Sequence, residues 1–506
     1  MPVSFEVYRD GQRVRDYEPV AAYAVGPESV PMPGEVVVRD GLLVLSRSDE
    51  IPMGLSLLWN VGAAGAYHLE TTRLAARERP YVLNVELARM RLMKIMQKQE
   101  DWSLFDFPKA ERFNNRFRDV QQLFSEALCN LDQPGKAAKM ADDALVDAIA
   151  LSEELAMFHC DLLINRRRAS NAFVKHIFGC RVDVGVQNNR YREVLAGNFD
   201  YAVLPLPWKV LEPQEGVFET QQVDSWAEAL SKKRLPIIAG PLVNFTEEDL
   251  PDWMFIWEND FETVRELAYE HVQKLVQRYR KMVSLWNVVA GLSTNRAFTL
   301  SFEQMIEMTR LLVSQVKNLL PGARTLVTIS QPFGEYHARN ATSVAPLLYA
   351  EMVSQAGIAF DGFAMELEVG VPQPGKFMRD LFQISAMLDR LSTLSRPVFI
   401  TGISAPGRAT PDAGDRSEGR LDPMAAGQWH RPWDPQLQAD WLEAVYHLAL
   451  SKPFVESVAW GDLADINQTV PGGGLLDDMF QPKPAFERFV QIKEKFAQWQ
   501  EVKAKR

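Results

Sequence analysis

An α/β fold, a (β/α)8 TIM barrel preceded by a small β-sandwich and a helical connector, is what these 506 residues predict. Three observations carry that expectation. Eight short apolar segments, rich in β-branched residues, recur between residues 172 and 465, and each of the first seven is followed by a helical pattern. Parallel strands buried on both faces read as such runs, and strand–helix alternation closes most simply as a barrel. Ahead of them lie Asp-Gly turns between short apolar runs, then a long stretch of helical periodicity.

The expected strands are His176 to Val184, Tyr201 to Leu206, Pro236 to Val243, Val283 to Val289, Thr325 to Ser330, Gly362 to Val369, Pro397 to Ile403 and Val455 to Trp460. The clearest is MVSLWNVVAGLSTN, where an apolar run follows a charged helical stretch (Phe261 to Lys281) and opens into a loop at a glycine. In such a barrel, chemistry sits where strands end and loops begin. The longest segment without periodicity, Ala405 to Trp433, follows the seventh strand and belongs to that face as a lid or binding loop.

The expected domains are a β-sandwich-like module over 1–80, a helical connector over 81–166 and the barrel over 167–495. VSFEVYRDGQRV and GEVVVRDGLLVLSRS each carry an Asp-Gly hairpin signal; GLSLLW and AYHLETTRL follow as strands. VELARMRLMKIMQKQEDW and Lys136 to Asn165 read as long helices. The Met90, Met93, Met96 stripe reads as core. Arg166-Arg167-Arg168 reads as a solvated junction.

Composition narrows the function classes. An apolar content of 47% and a charged content of 24% describe a folded chain. A net charge of −11 disfavours nucleic acid and anionic membrane as partners and suits a neutral ligand such as a sugar. Cys129, Cys160 and Cys180 make neither a disulfide framework nor a zinc motif. The seven histidines are scattered, no metal cluster is visible, and no phosphate loop or GxGxxG predicts a nucleotide, so no cofactor is expected. No apolar run spans a membrane, and MPVSFEVYRDGQR is polar from its start; the expected location is cytoplasmic, although a secreted form without its leader reads the same. Oligomeric state is not legible.

Several stretches in order resemble the family 10 glycoside hydrolases, the xylanase-type barrels. NFDYAVLPLPWKVLEPQEGVFE is similar to that family's second strand and LPIIAGPLVNFTEEDLPDWM to its third. LWNVVAG is similar to its Trp-Asp-Val-Val-Asn-Glu strand, DGFAMELEV to its sixth, PVFITGIS to its seventh, and WGDLAD with FQPKPAF to its eighth strand and closing segment. The resemblance covers roughly residues 160–490 and implies a barrel acting on a β-linked poly- or oligosaccharide. It also implies departures. The family's acid/base Glu falls on Gly291 and its nucleophile Glu on Gly402; Ala290 replaces the Asn before the acid, Pro241 or a neighbour the third-strand His, and Pro207 the second-strand Lys. Glycine carries no carboxylate, so that mechanism requires carboxyls from elsewhere.

Glycoside hydrolysis uses two carboxyls about 5 Å apart for retention or roughly 6.5–9.5 Å for inversion. In MELEV, Glu366 and Glu368 lie two apart on a strand, so both point into the barrel. In the resemblance they stand where the family has Gln and His. They repel, which raises one pKa unless a cation sits between them. The alternative is that they accept hydrogen bonds from Arg or Trp. Glu335 in SQPFGEY and Asp462 in WGDLAD stand beyond the fifth and eighth strands; ordinary loop salt bridges and caps account for them equally. The expected catalytic set is Glu368, Glu335, Asp462 and Glu366.

For substrate contact, Trp208, Trp286, Trp460, Trp429 and Trp433 offer aromatic faces for sugar rings. Asn244, Asn287 and Gln331 offer neutral hydrogen bonds, and His430 suits an acidic group. A hydrolase with relocated carboxylates is the first expectation. A glycan-binding protein without catalysis, or an interaction protein using the barrel as scaffold, are the alternatives.

Overall fold

The structure is a computed structural model describing residues 2–47, 51–104, 110–170, 172–174 and 176–504. The barrel forms as the sequence predicts. Its strands are Phe178–Arg181, Tyr201–Leu204, Ile237–Ala239, Leu285–Ala290, Thr325–Ile329, Gly362–Glu368, Val398–Ser404 and Val455–Trp460. All pair in parallel. The first strand pairs with the eighth through Phe178 and Val458, which closes the ring. The third strand ends sooner than expected because Gly240-Pro241 interrupts it; pairing resumes at Val243–Asn244 beside the fourth strand. Proline has no N–H to give the ladder.

Strand residues alternate between two cores. Tyr201, Val203, Ile238, Leu285, Leu326, Ala364, Phe399 and Ala459 form an apolar plug inside the ring. Their neighbours, such as Ala202, Leu204, Val327 and Met365, face the surrounding helices. The next inward positions toward the strand C-termini are polar: Arg181, Asn287, Thr328 and Glu366. The change from an apolar to a polar layer defines the floor of the barrel mouth.

The described residues among 2–82 build two sheets, antiparallel except that Tyr81–Val82 pairs in parallel with Val3–Arg9. In one, Val3–Arg9 turns into Gln12–Val14 through Asp10-Gly11, and Glu35–Arg39 into Leu42–Ser46 through Asp40-Gly41. All four turn residues have positive φ (48°, 77°, 53° and 70°), the geometry that two-residue hairpins require. The other sheet contains Tyr23–Val25, Gly54–Asn60 and Gly65–Glu70. One of its two outer strands is Pro31–Met32; the other is Gln428–Trp429, which arrives from the loop after the seventh barrel strand.

Helices α1 (Leu83–Asp101), α2 (Ala110–Cys129) and α3 (Pro134–Ser170) follow the sheets. Buried polar contacts fasten them to the barrel. Arg91 of α1 pairs with Asp380 and donates to Ser152 of α3 at 3.2 Å. Arg167 donates to the carbonyls of Leu450 (2.7 Å) and Lys452 (2.8 Å), so the middle of the arginine triplet is a buried anchor and not a solvated residue. In the methionine stripe, Met93 and Met96 are exposed and not core. Among the described residues, no helix is long and apolar enough to cross a membrane.

Candidate functional site

Arg181 ends the first barrel strand and points into the polar layer. Its Nε donates to Gly461 O at 3.0 Å, Nη1 to Glu366 Oε1 at 3.1 Å and Nη2 to Thr469 Oγ1 at 2.7 Å. Nη2 also stands 3.8 Å from both Glu368 Oε1 and Asp462 Oδ1. Three of the four expected carboxylates therefore converge on one guanidinium. The carboxylate repulsion foreseen within MELEV is relieved by a cation. Neither Arg181 nor Lys376, which reaches Glu368 Oε2 at 2.5 Å, was singled out from the sequence. The available signal was a lone arginine inside a buried parallel strand.

The three carboxylates differ in environment. Glu368 and Asp462 side chains are only 9% and 6% exposed. Burial opposes the charge of Glu368, but Lys376 and Arg181 outweigh it and hold its pKa at about 2. Glu366 lies deep among the strands, yet 42% of its side chain meets water, so the mouth is open above it. Burial raises its pKa, Arg181 pulls it back, and Glu368 adds to the rise. Asp462 also receives Thr469 N at 2.9 Å, and Arg416 of the long seventh loop stands 3.9 Å away.

Glu335 is not in this group. It is 2% exposed, pairs with Arg379, and accepts Gly375 N at 2.9 Å, so it holds the loop after the sixth strand. The turn at Gly334 directs the carboxylate under that loop and not across the mouth.

The expected aromatic platform is absent at the residues named for it, because all five tryptophans are buried. Trp208 stacks on His271 with centroids 4.1 Å apart and donates to Glu212 at 2.8 Å. Trp286 faces the helices, and Trp460 donates to Gly473 O at 2.9 Å. Trp429 donates to Glu153 of α3 at 3.0 Å, and His430 Nε2 meets the same carboxylate at 3.0 Å. Trp433 packs edge-on against Trp441. The seventh loop thus brings Trp429 and His430 to the N-terminal sheet and α3, where they clamp the chain together.

The neutral candidates are mostly engaged. Asn287 is buried and accepts Thr328 Oγ1 at 2.8 Å. Asn244 donates to Asp249. Gln331 is tucked beneath Gly375, and its Oε1 is enclosed. Among the described residues, no group of three or more His, Cys, Asp or Glu is placed to hold a metal.

The two glycines at the positions implied for the catalytic pair differ. Gly291 has φ 80°, and a Cβ there lies 2.8 Å from Asn244 Oδ1 and from two backbone atoms of Phe245. Only glycine fits that close approach. At Gly402 a Cβ meets Arg181 Nη1 at 3.5 Å and Glu366 at 3.7 Å, which is ordinary contact.

Arg181, Trp208, Asn244 and Asn287 lie within one contiguous stretch of the chain. Residues 166–307 match the model of Glycosyl hydrolase family 10. The chain is thus similar to family 10 across the first half of its barrel, where its second-, third- and fourth-strand motifs lie; the motifs of the sixth to eighth strands lie beyond that match. Among solved structures, it is similar to native xylanase 10B from Thermotoga maritima (15% identity, TM-score 0.47, 64% of this chain and 96% of that one). It is likewise similar to xylanase 10B from Thermotoga petrophila RKU-1 in complex with xylobiose (16%, 0.47, 65% and 97%). An endoxylanase retrieved from a sugarcane soil metagenome gives 18%, 0.46, 63% and 96%. No curated protein matches the chain.

Proposed function

We propose that this family-10-like barrel binds a carbohydrate at its mouth without hydrolysing it. One observation carries the reading: Arg181 draws Glu366, Glu368 and Asp462 onto itself. A glycosidase keeps two carboxyls on opposite sides of the scissile bond, one to protonate the leaving oxygen and one to attack or activate water. Here the carboxyls share a cation, and Glu368, held ionised by Lys376 and Arg181, is a poor proton donor. The likeness to family 10 supports a β-linked sugar, xylan-type oligosaccharides first. Water-accessible Glu366 is the group suited to accept hydrogen bonds from sugar hydroxyls.

The hydrolase with relocated carboxylates stays as a second reading because of Glu366 alone. An accessible carboxyl with a raised pKa is what a general acid needs. Calorimetric titration with xylobiose to xylohexaose, run beside a reducing-sugar assay, separates the two. Binding without release, weakened in Glu366→Gln, supports the binding reading. Sugar release that vanishes in Glu366→Gln replaces it with the hydrolase. Neither binding nor release across a panel of β-glycans leaves the barrel as a scaffold.

A further inference from the structure

A second cavity lies away from the barrel mouth. It measures about 350 Å³ and opens where the end of the N-terminal sheets meets α1 and the turn before α3. Its apolar lining comes from Leu74, Val82, Val85 and Leu131, all buried or half-buried. Its polar lining carries three arginines, Arg77, Arg79 and Arg89, against one carboxylate, Glu86. That excess of cations is notable in a chain of net charge −11.

The arginines are unequally engaged. Arg89 Nε donates to Glu86 Oε2 at 3.0 Å, and Thr72 Oγ1 donates to the same oxygen at 3.1 Å. Glu86 is therefore fully engaged. Arg77 and Arg79 have no carboxylate partner among the described residues. Main-chain acceptors hold them instead: Arg77 Nε donates to Arg79 O at 2.8 Å, and Arg79 Nη2 to Leu131 O at 2.9 Å. The Arg77 guanidinium lies over the Tyr81 ring at 3.4 Å. Two guanidinium groups are thus pre-positioned, with most of their five donors each still unused.

We propose that this cavity binds a small organic carboxylate with an apolar body. The unpaired charge of Arg77 and Arg79 selects an anion, and planar guanidinium groups match a carboxylate's two oxygens. The apolar floor selects the body: an inorganic anion leaves Leu74, Val82, Val85 and Leu131 uncovered, whereas a ring or short alkyl chain fills the space. The volume is at the lower end for small-molecule sites. A sugar fits poorly, because the only aromatic face in the lining, Tyr81, is already covered by Arg77. The site is independent of the barrel-mouth reading.

The test is calorimetric titration of the full chain with benzoate and hexanoate, with benzamide and inorganic phosphate as controls. Benzoate or hexanoate binds measurably and benzamide at least about tenfold more weakly, as expected for loss of charge-assisted hydrogen bonds. The double variant Arg77→Gln, Arg79→Gln, at exposed positions, keeps its circular dichroism and melting temperature and loses at least about tenfold in affinity. Leu131→Trp fills the apolar end, alters no charge, and abolishes binding. The proposal is overturned if neither carboxylate binds, if benzamide binds equally, or if both variants bind as the parent does. Phosphate binding that disappears in the double variant but persists in Leu131→Trp overturns the organic class as well.

Discussion

Arg181 Nη1 lies 3.1 Å from Glu366 Oε1 at the boundary between the apolar plug and the open mouth of the barrel. Arg181 is also the nearest cation to Asp462 and, with Lys376, balances Glu368. Replacing it by Met removes the charge and leaves three acidic groups close together. The expected cost is about 3–5 kcal/mol near neutral pH, the range for breaking a buried pair. Thermal unfolding at two pH values checks the cause. The loss relative to the parent shrinks toward acid, where protonation relieves the carboxylates; a loss equal at both values points to packing instead.

Glu368 gives a pH dependence of defined sign. Its folded pKa of about 2 lies below its ordinary 4.5, so the folded state favours the ionised form. That stabilisation is fully present above about 4.5 and is lost as pH falls toward about 2. Glu368→Gln therefore destabilises the protein near pH 7 by up to about 3 kcal/mol, at 1.36 kcal/mol per pKa unit. The gap between the two melting temperatures narrows steadily between about pH 4.5 and 3. A gap that stays constant over that interval removes the ion pair with Lys376 as its source.

Asp142 of α3 has the opposite sign. Burial raises its pKa from 3.8 to about 7; Asn84, donating to both carboxyl oxygens at 2.9 and 2.8 Å, opposes the rise, while Asp143 and Asp10 add to it. Between about 4 and 7 the folded protein keeps a proton that the unfolded chain has released, so stability falls as pH rises through that window. Asp142→Asn removes the penalty. The variant melts higher than the parent at pH 8, by at most about 4 kcal/mol of stability, and the two converge at pH 4. A variant no more stable at pH 8 than at pH 4, relative to the parent, rules out this titration.

How much of this was legible depends on the range of the interaction. The barrel strands could be read because each is a local apolar run, and the Asp-Gly hairpins because two turn residues dictate their φ. The inward direction of Glu366 and Glu368 followed from the strand period alone. Arg181 and Lys376 were missed because their meaning lies in the glutamates they meet across the fold, Glu366 for Arg181, 185 residues on, and Glu368 for Lys376, 8 residues back across a loop without periodicity. Trp429 was misread for a related reason: an aromatic in a polar loop looks free until Glu153, 276 residues earlier, is known to receive its N–H. Periodicity finds faces of elements; it does not find which element a loop returns to.

That Trp429–Glu153 contact carries its own expectation. Glu153 Oε1 also accepts Leu381 N at 2.9 Å, so one buried carboxylate satisfies donors from the seventh loop and from the helix Leu381–Leu391. Glu153→Ala orphans both, at about 1–3 kcal/mol for each buried donor. Hydrogen exchange at Gln428–Trp429, whose strand closes the N-terminal sheet, accelerates in the variant, and limited proteolysis shifts to the 405–433 loop. Unchanged exchange there shows that strand pairing alone holds the loop.

Gly291 and Gly402 differ in what their surroundings allow a side chain to do. Gly291 adopts φ 80° with Asn244 and Phe245 at 2.8 Å from where a Cβ stands, so Gly291→Glu strains the backbone and displaces the turn after the third strand. Its cost is expected to exceed about 3 kcal/mol, combining strain of about 1–3 kcal/mol with the overlap. Gly402 has room for a Cβ, so Gly402→Glu folds, but its carboxylate joins Glu366 beside the same Arg181 and raises the pKa of the pair further. Melting temperatures of the two single variants decide the point. Gly291→Glu falls well below the parent, and Gly402→Glu falls little at pH 5 and more at pH 8. Equal losses in both would mean that Gly291 is not held by its surroundings.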